Sequence, residues 1–303
     1  MQYVLLTPIK NEEQYLPSLA EMLLRQAVRP ALWLLINDAS TDGSQAIMDE
    51  LAAAHDWVFS ITLPYEPGGL GLHYAGVVHQ GFTALQAEAA QRGIGFDLLG
   101  KVDADVIFDA DCFASLLTEF ASDERLGIAS PSLTNADVGE EGKVQAVKKE
   151  VVLSDHPTDG IRLFRRACFE EMGGSPVTRA PETVAEAKAT LSGWKLRRFA
   201  DIPAYHRRKA HSATSLWARW EMAGSEQYYL GYHPVLVLGH ACYEFLFRSP
   251  KYLFLAHLSG YAKAVFRREE RIADAEVRAY FGRQRLREVW HQLPTLIQQA
   301  KNR

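Results

Sequence analysis

The residues best suited to chemistry are the carboxylates of Asp103 and Asp105. They stand two positions apart at the end of an apolar run, Leu98-Leu99-Gly100-Lys101-Val102. A chain that turns at a strand end can bring side chains at i and i+2 onto one cation. Hard carboxylate oxygens suit Mg²⁺ or Mn²⁺, and such an ion can bridge a substrate diphosphate and neutralise a leaving nucleoside diphosphate. An acidic turn that merely caps a helix has the same spacing, so the pair needs support from elsewhere. Two other polar segments give it. Thr7-Pro8-Ile9-Lys10-Asn11-Glu12-Glu13 and Ile36-Asn37-Asp38-Ala39-Ser40-Thr41-Asp42-Gly43-Ser44 each follow an apolar run and open a helical pattern. Backbone N–H groups at helix starts attract anions. Asp38 can accept hydrogen bonds from a base or a ribose. Asn11, Asp42 and Ser44 are also good helix caps, and capping does not exclude binding.

These segments need a scaffold that holds them at one edge. Short apolar runs predict strands over 3–6, 32–36, 57–63 and 96–102. Between them, apolar residues at helical spacing predict helices over 13–26, 44–54 and 74–91. Strands alternating with helices of this length imply βαβ units and a mostly parallel sheet covered on both faces. Ligands bind outside the carboxyl ends of the strands in such sheets, where all three segments lie. Further strands are predicted over 127–133 and 143–153, a polar loop over 155–160, a short helix over 168–174 ending in Gly173-Gly174, and a helix over 182–191. The strand signal fades after Ala204, and 214–303 reads as helical.

Composition narrows the class. Of the 303 residues, 48% are hydrophobic and 23% charged, which excludes a disordered chain. Cys112, Cys168 and Cys242 are far apart and form no CxxC pair, so neither a disulfide framework nor a zinc site is expected. The start, Met1-Gln2-Tyr3, has no basic region before its apolar run, and no signal peptide is predicted. No stretch reaches the ~20 apolar residues a membrane span needs. The net charge of −4 hides an asymmetry. Residues 1–194 hold 14 Lys and Arg against 28 Asp and Glu, a net −14, and residues 195–303 hold 19 against 9, a net +10. The acidic front suits a metal. The basic, aromatic back suits an anionic partner: a diphosphate, a lipid head group or a membrane surface.

In order and spacing, Pro8 with Asn11-Glu12, then Asp38 through Ser44, then Asp103 and Asp105 resemble the motifs of family 2 glycosyltransferases of the GT-A fold. The resemblance covers about residues 1–240. It implies an α/β GT-A domain, Rossmann-like and mostly parallel, over 1–213, with a nucleotide-sugar half at about 1–110 and an acceptor half at about 111–213. The helical C-terminal extension then occupies 214–303. By resemblance Thr7, Pro8, Glu12 and Asp38 contact the base and ribose. Asn11, Lys101 and Ala104 join the nucleotide-sugar site. Asp103 contacts ribose or metal, Asp105 ligates the metal, and His206 completes its ligands, with basic residues of Arg207-Arg208-Lys209 near the diphosphate. Family members also carry a catalytic carboxylate at a helix start after a Gly-Gly segment. Here Gly173-Gly174 is followed by Pro181-Glu182 and by Glu186, without the usual Glu-Asp pair. Inverting transfer needs one base to take the acceptor's hydroxyl proton. Glu182 is the favoured candidate because Pro181 sets it at the helix start, and Glu186 is the second. One departure is the loop Pro67-Gly68-Gly69-Leu70-Gly71-Leu72-His73-Tyr74, where many relatives have a Lys or Arg. It holds no cation unless His73 is charged, and Lys101 can take over part of that role.

The expected reaction is inverting transfer from a UDP- or GDP-sugar, with Mg²⁺ or Mn²⁺, to a saccharide or lipid-linked acceptor in cell-surface polysaccharide or glycolipid synthesis. Two other classes remain open at this point. A nucleotidyltransferase also joins a Rossmann-like sheet to metal carboxylates, but would be expected to carry a glycine-rich loop after the first strand, where Thr7-Pro8-Ile9-Lys10-Asn11-Glu12 lacks glycine. A non-catalytic nucleotide-sugar binder would need Asp38 and Asp105 but no base. Nucleic acid is not an expected partner. The protein is expected in the cytoplasm, with the inner face of the membrane as an option. Apolar helical stretches around 235–247 and 252–266, flanked by Arg248, Lys251, Arg267 and Arg268, leave three uses open: packing on the catalytic domain, a homodimer, or peripheral membrane contact.

Overall fold

The computed structural model describes residues 1–64, 70–138, 144–147, 156–207, 216–247 and 250–288. The chain forms two compact units, Met1–Ala210 and His211–Arg303. Part of the glycine-rich loop (Pro67 to Gly69), most of the strand expected over 143–153, and Arg208, Lys209 and Arg248 lie outside the described residues.

The first unit is built on β1 (Tyr3–Ile9), β2 (Leu32–Asp38), β3 (Val58–Leu63) and β4 (Leu98–Val102), all parallel. Between them run α1 (Leu16–Leu24), α2 (Ser44–Ala54) and α3 (Leu70–Gln91). Strands β1, β2 and β4 are buried almost throughout, which is why their sequences are continuous apolar runs and do not alternate. Tyr3, Leu5 and Ile9 of β1 point into a core with Leu16, Leu19 and Leu23 of α1, and Val4 and Leu6 into a second core with Val77, Phe82 and Leu85 of α3. The sheet is thus covered on both faces.

After β4 come β5 (Val106–Phe108), α4 (Cys112–Ser122), β6 (Leu126–Val138), β7 (Val144–Val147), β8 (Ile161–Arg165), α5 (Arg166–Glu171), α6 (Pro181–Leu191) and β9 (Lys195–His206). Among the described residues the strands form one nine-stranded sheet in the order β3-β2-β1-β4-β8-β6-β9-β5, with β7 beside β6. The far half is mixed: β8 is antiparallel to β4 and β6, and β9 is parallel to β6 but antiparallel to β5. Helix α4 and strands β5 and β8, which the sequence reading does not assign, complete this half. Strand β9, likewise unassigned in the sequence, runs on through His206. That extension matters, because it pairs His206 with Val106, next to Asp105.

The second unit contains α7 (Leu216–Leu230), α8 (Pro234–Phe247), α9 (Leu253–Arg267) and α10 (Ala275–Ala279), which runs into a π-helical turn, Tyr280–Gln284. Helices α7 and α9 cross with their backbones nearly touching. A β-carbon on Gly260 would lie 1.8 Å from the Glu221 carbonyl oxygen, and one on Gly224 would lie 2.0 Å from that of His257. Among the described residues, no helix is long and apolar enough to cross a membrane.

Candidate active site

Three chain segments emerge at the carboxyl ends of β1, β2 and β4, where the strand order reverses around β1. The first two lock onto each other. Asn11 accepts the Thr41 N–H at 2.8 Å through its side-chain oxygen and donates its own N–H to Ser40 Oγ at 3.0 Å. Glu12 N–H donates to Ser44 Oγ at 2.8 Å, and Glu13 N–H to Asp42 Oδ2 at 3.1 Å. Glu13 in turn accepts the Gly43 N–H at 2.7 Å. The expected capping residues therefore tie the two loops together. Asn11 and Ala39 both sit in the left-handed region, at φ 57° and 48°. For alanine this costs on the order of 1 kcal/mol, strain of the kind that collects at binding loops.

Asp38 is buried at the end of β2. Lys10 Nζ lies 3.0 Å from its Oδ2, and His73 Nε2 lies 2.8 Å from both carboxylate oxygens. His73 of the departed loop therefore serves Asp38, and does not act at the Asp103 end. An ionised carboxylate has about four acceptor positions, so Asp38 retains capacity for a ligand. Two expected contacts are altered. Thr7 is fully buried and its hydroxyl accepts the Trp33 indole N–H at 2.9 Å. Ala104 faces the core. Both side chains are buried. Pro8 is partly exposed beside them.

At the end of β4, Lys101 occupies a buried strand position, with its side chain 7% exposed. Its Nζ donates to Asp103 Oδ1 at 2.8 Å and to the Tyr74 hydroxyl at 2.7 Å, and it lies 5.3 Å from the Tyr74 ring centre. Burial alone would lower its pKa. The negative charge of Asp103, then Tyr74, Asp159 and Glu182, overcomes that and holds it well above the ordinary value. Burial, then the Asp103 carboxylate, raises the Tyr74 hydroxyl.

Asp103, Asp105 and His206 do not converge as expected. Among the described residues, no three His, Cys, Asp or Glu side chains gather as a metal cluster. The Asp103 carboxylate is instead paired with Lys101 Nζ at 2.8 Å. Asp105 and His206 do meet: Oδ1 and Nδ1 are 3.7 Å apart, too far for a hydrogen bond, and the buried Nδ1 has no hydrogen-bond partner. An orphaned imidazole nitrogen beside a carboxylate fits a divalent ion that accepts both donor types, Mn²⁺ better than Mg²⁺. Arg207, next along, donates its N–H to the Asp105 carbonyl at 2.9 Å and reaches Ser18 with its guanidinium.

The two glutamates of α6 differ sharply. Glu186 accepts from Arg162 Nη2 at 2.8 Å and lies 3.0 Å from His156 Nδ1. Glu182 stands one turn earlier and lines a pocket with Lys101, Tyr74 and Arg162, whose inner wall includes Phe82 and Phe169. Burial, then the negative charge of Asp159, raises the Glu182 pKa above that of an ordinary glutamate, against the opposing pull of Lys101. Asp159 in turn pairs with Arg162 Nε at 3.2 Å. Tyr74, His156, Asp159 and Arg162 are absent from the sequence-derived site. Arg162 has a legible signal: it interrupts an otherwise apolar run, Ile161-Arg162-Leu163-Phe164.

Comparison with known proteins bears on this arrangement. The family model described as "Glycosyl transferase family 2" matches residues 4–173, more than half of the chain. The chain belongs to glycosyltransferase family 2. The family match spans β1 through α5, so the loops at Asp38 and Asp103 and the Gly173 turn belong to the transferase framework, and glycosyl transfer is the activity class. A search of curated proteins found no match. Among solved structures the chain is similar to a mannosyltransferase, PcManGT, from Pyrobaculum calidifontis in complex with GDP-Man and Mn²⁺. Identity is 15% and the TM-score 0.55, over 88% of this chain and 75% of that one. It is also similar to residues 1–349 of S. aureus TarS in complex with UDP-GlcNAc, at 15% identity and TM-score 0.54, over 98% and 88%. At such identities the likeness establishes the GT-A fold.

Proposed function

We propose that this family 2 glycosyltransferase transfers a sugar from a UDP- or GDP-sugar to an acceptor hydroxyl with inversion at the anomeric carbon, and that Glu182 is the base. The observation that carries this is the contrast within α6. Glu186 is held by Arg162 and His156, whereas Glu182 lines the pocket with its pKa raised by burial and by Asp159. A carboxylate whose pKa approaches the working pH is a better base than an ordinary one.

In the proposed step the acceptor oxygen forms its bond to the anomeric carbon from the face opposite the diphosphate. Its proton passes to a Glu182 carboxylate oxygen. The bond from the anomeric carbon to the diphosphate oxygen breaks, and the electron pair leaves with the nucleoside diphosphate. Asp38 would accept hydrogen bonds from the base or ribose. The Lys101 ammonium beside Asp103 would orient that carboxylate toward the ribose. Asp105 and His206 would hold a divalent ion, Mn²⁺ in preference to Mg²⁺, which supplies positive charge to the leaving diphosphate. Glycosyltransferase relatives in complex with GDP-Man and Mn²⁺ or with UDP-GlcNAc support this choice of donor and metal. The acceptor class is a saccharide or a lipid-linked saccharide.

Glu182→Gln tests the assignment. It should lower kcat by at least ~100-fold while the affinity for the nucleotide, measured by titration calorimetry, changes less than ~3-fold. The anomeric configuration of the product, read by NMR, tests inversion. Unchanged turnover in Glu182→Gln removes Glu182 from the mechanism. Nucleotide-sugar binding without turnover in the wild-type protein, across a panel of donors and acceptors, would favour a non-catalytic binder.

A further inference from the structure

From Gly231 to Arg268 the chain holds five Lys and Arg against one acid, Glu244, a net +4. Glu244 is buried, so no acid of this segment faces solvent. Helix α8 lies inside it and buries Leu236, Val237, Ala241 and Glu244 on one side. Its other side exposes Val235, Leu238, Cys242, Phe245 and Leu246. At 3.6 residues per turn these form a stripe ~100° wide, and none of them is charged. Leu238 is 55% exposed and Leu246 62%. A surface helix in water normally turns its polar residues outward, so this helix is inverted on that side.

Basic residues flank the stripe. Of the five cations, Lys263 is paired with Glu221 of α7. Lys251 closes its end: Nζ donates to the carbonyls of Phe245 at 2.7 Å and Leu246 at 3.0 Å, and lies 5.8 Å from the Phe245 ring centre. On α9, Leu255 and Phe266 lie three turns apart on one face. Phe266 is 85% exposed and is followed directly by Arg267 and Arg268.

We propose that the exposed face of α8 docks on an anionic lipid bilayer. The apolar stripe would enter the boundary between headgroups and acyl chains, and the basic residues would meet the lipid phosphates. A second copy of this chain suits the face less well. A two-fold contact sets the same patch against itself, bringing together two basic segments, each still net +3 after Lys263 is paired with Glu221. Since no described helix is long and apolar enough to cross a membrane, α8 lies on the surface and does not span it.

Vesicle flotation of the full chain tests this. At ~50 mM salt the protein should float with phosphatidylcholine vesicles containing about 30% phosphatidylserine, at least ~10-fold more than with phosphatidylcholine alone, and should be released at ~0.5 M salt. Leu238→Glu and Leu246→Glu should each weaken flotation on the order of 10-fold, with unchanged melting temperature because both positions face solvent. Leu238→Gln serves as the uncharged control and should weaken it as well. Three results would overturn the assignment: a wild-type chain that stays with the soluble fraction on both vesicle types, substituted chains that float as well as the wild type, or a wild-type dimer in sedimentation equilibrium that these substitutions convert to monomer.

Discussion

Lys101 sets a quantitative test of the β4 end. Its ammonium and the Asp103 carboxylate are 2.8 Å apart, with the side chains 7% and 26% exposed. At an effective dielectric of about 20, two unit charges at that separation attract by roughly 6 kcal/mol. Desolvation of both groups cancels the larger part, leaving a net coupling of about 2 kcal/mol. Lys101→Met should destabilise the protein by about 3 kcal/mol, because it also strands the Asp103 carboxylate and removes the donor to Tyr74. Asp103→Asn should cost less, since the amide can still accept from Nζ. Urea denaturation of wild type, both single variants and the double variant forms a closed cycle. The expected interaction energy is about 2 kcal/mol, and it should hold between pH 6 and 9. The sign follows from the direction of the shift: the folded pKa of Lys101 lies above its unfolded value, so its contribution is complete below the unfolded pKa of about 10.4 and is lost only as pH rises through the folded one. Single-variant effects that add to within ~0.5 kcal/mol would refute the coupling.

Thr7→Val leaves the Trp33 indole N–H without its acceptor and should cost about 1–3 kcal/mol in denaturation, with no change in the KM for the nucleotide-sugar; a raised KM would return the Thr7 side chain to the binding site. Asp159→Asn removes a charge that raises the Glu182 pKa. The ascending limb of kcat/KM against pH, which should lie above the ordinary glutamate range in the wild type, should move to lower pH, and an unmoved limb would separate Asp159 from the base. Gly260→Ala places a β-carbon against the Glu221 carbonyl and should destabilise the helical unit by about 3 kcal/mol or more in urea titration; a loss under ~0.5 kcal/mol would refute the tight crossing.

Strands β1, β2 and β4 were legible because burial on both faces writes itself as an unbroken apolar run. β8 hid because Arg162 splits its run, and β9 because Arg197, Arg198 and Asp201 break up its apolar positions. Helix α4 does carry a helical pattern in Cys112, Phe113, Leu116, Leu117 and Phe120, all buried. Within the site, position along the chain was readable and engagement was not. Glu186 is occupied by residues 24 and 30 positions away, and Asp38 by one 35 positions away. Only the folded chain brings such partners together. Lys101, read as a substitute cation, is Asp103's own counter-ion, a pairing that spacing along the chain does not show.

The interlocked loops after β1 and β2 bear on how a donor would be chosen. Asn11, Glu12 and Glu13 already exchange hydrogen bonds with Ser40 through Ser44. Their conformational entropy is surrendered when the chain folds, so a nucleotide arriving there need not order them. Discrimination between bases then falls to a rigid template, through shape and fixed hydrogen-bond direction. Amide exchange across 11–13 and 40–44 would be slow before the donor binds and little altered afterwards.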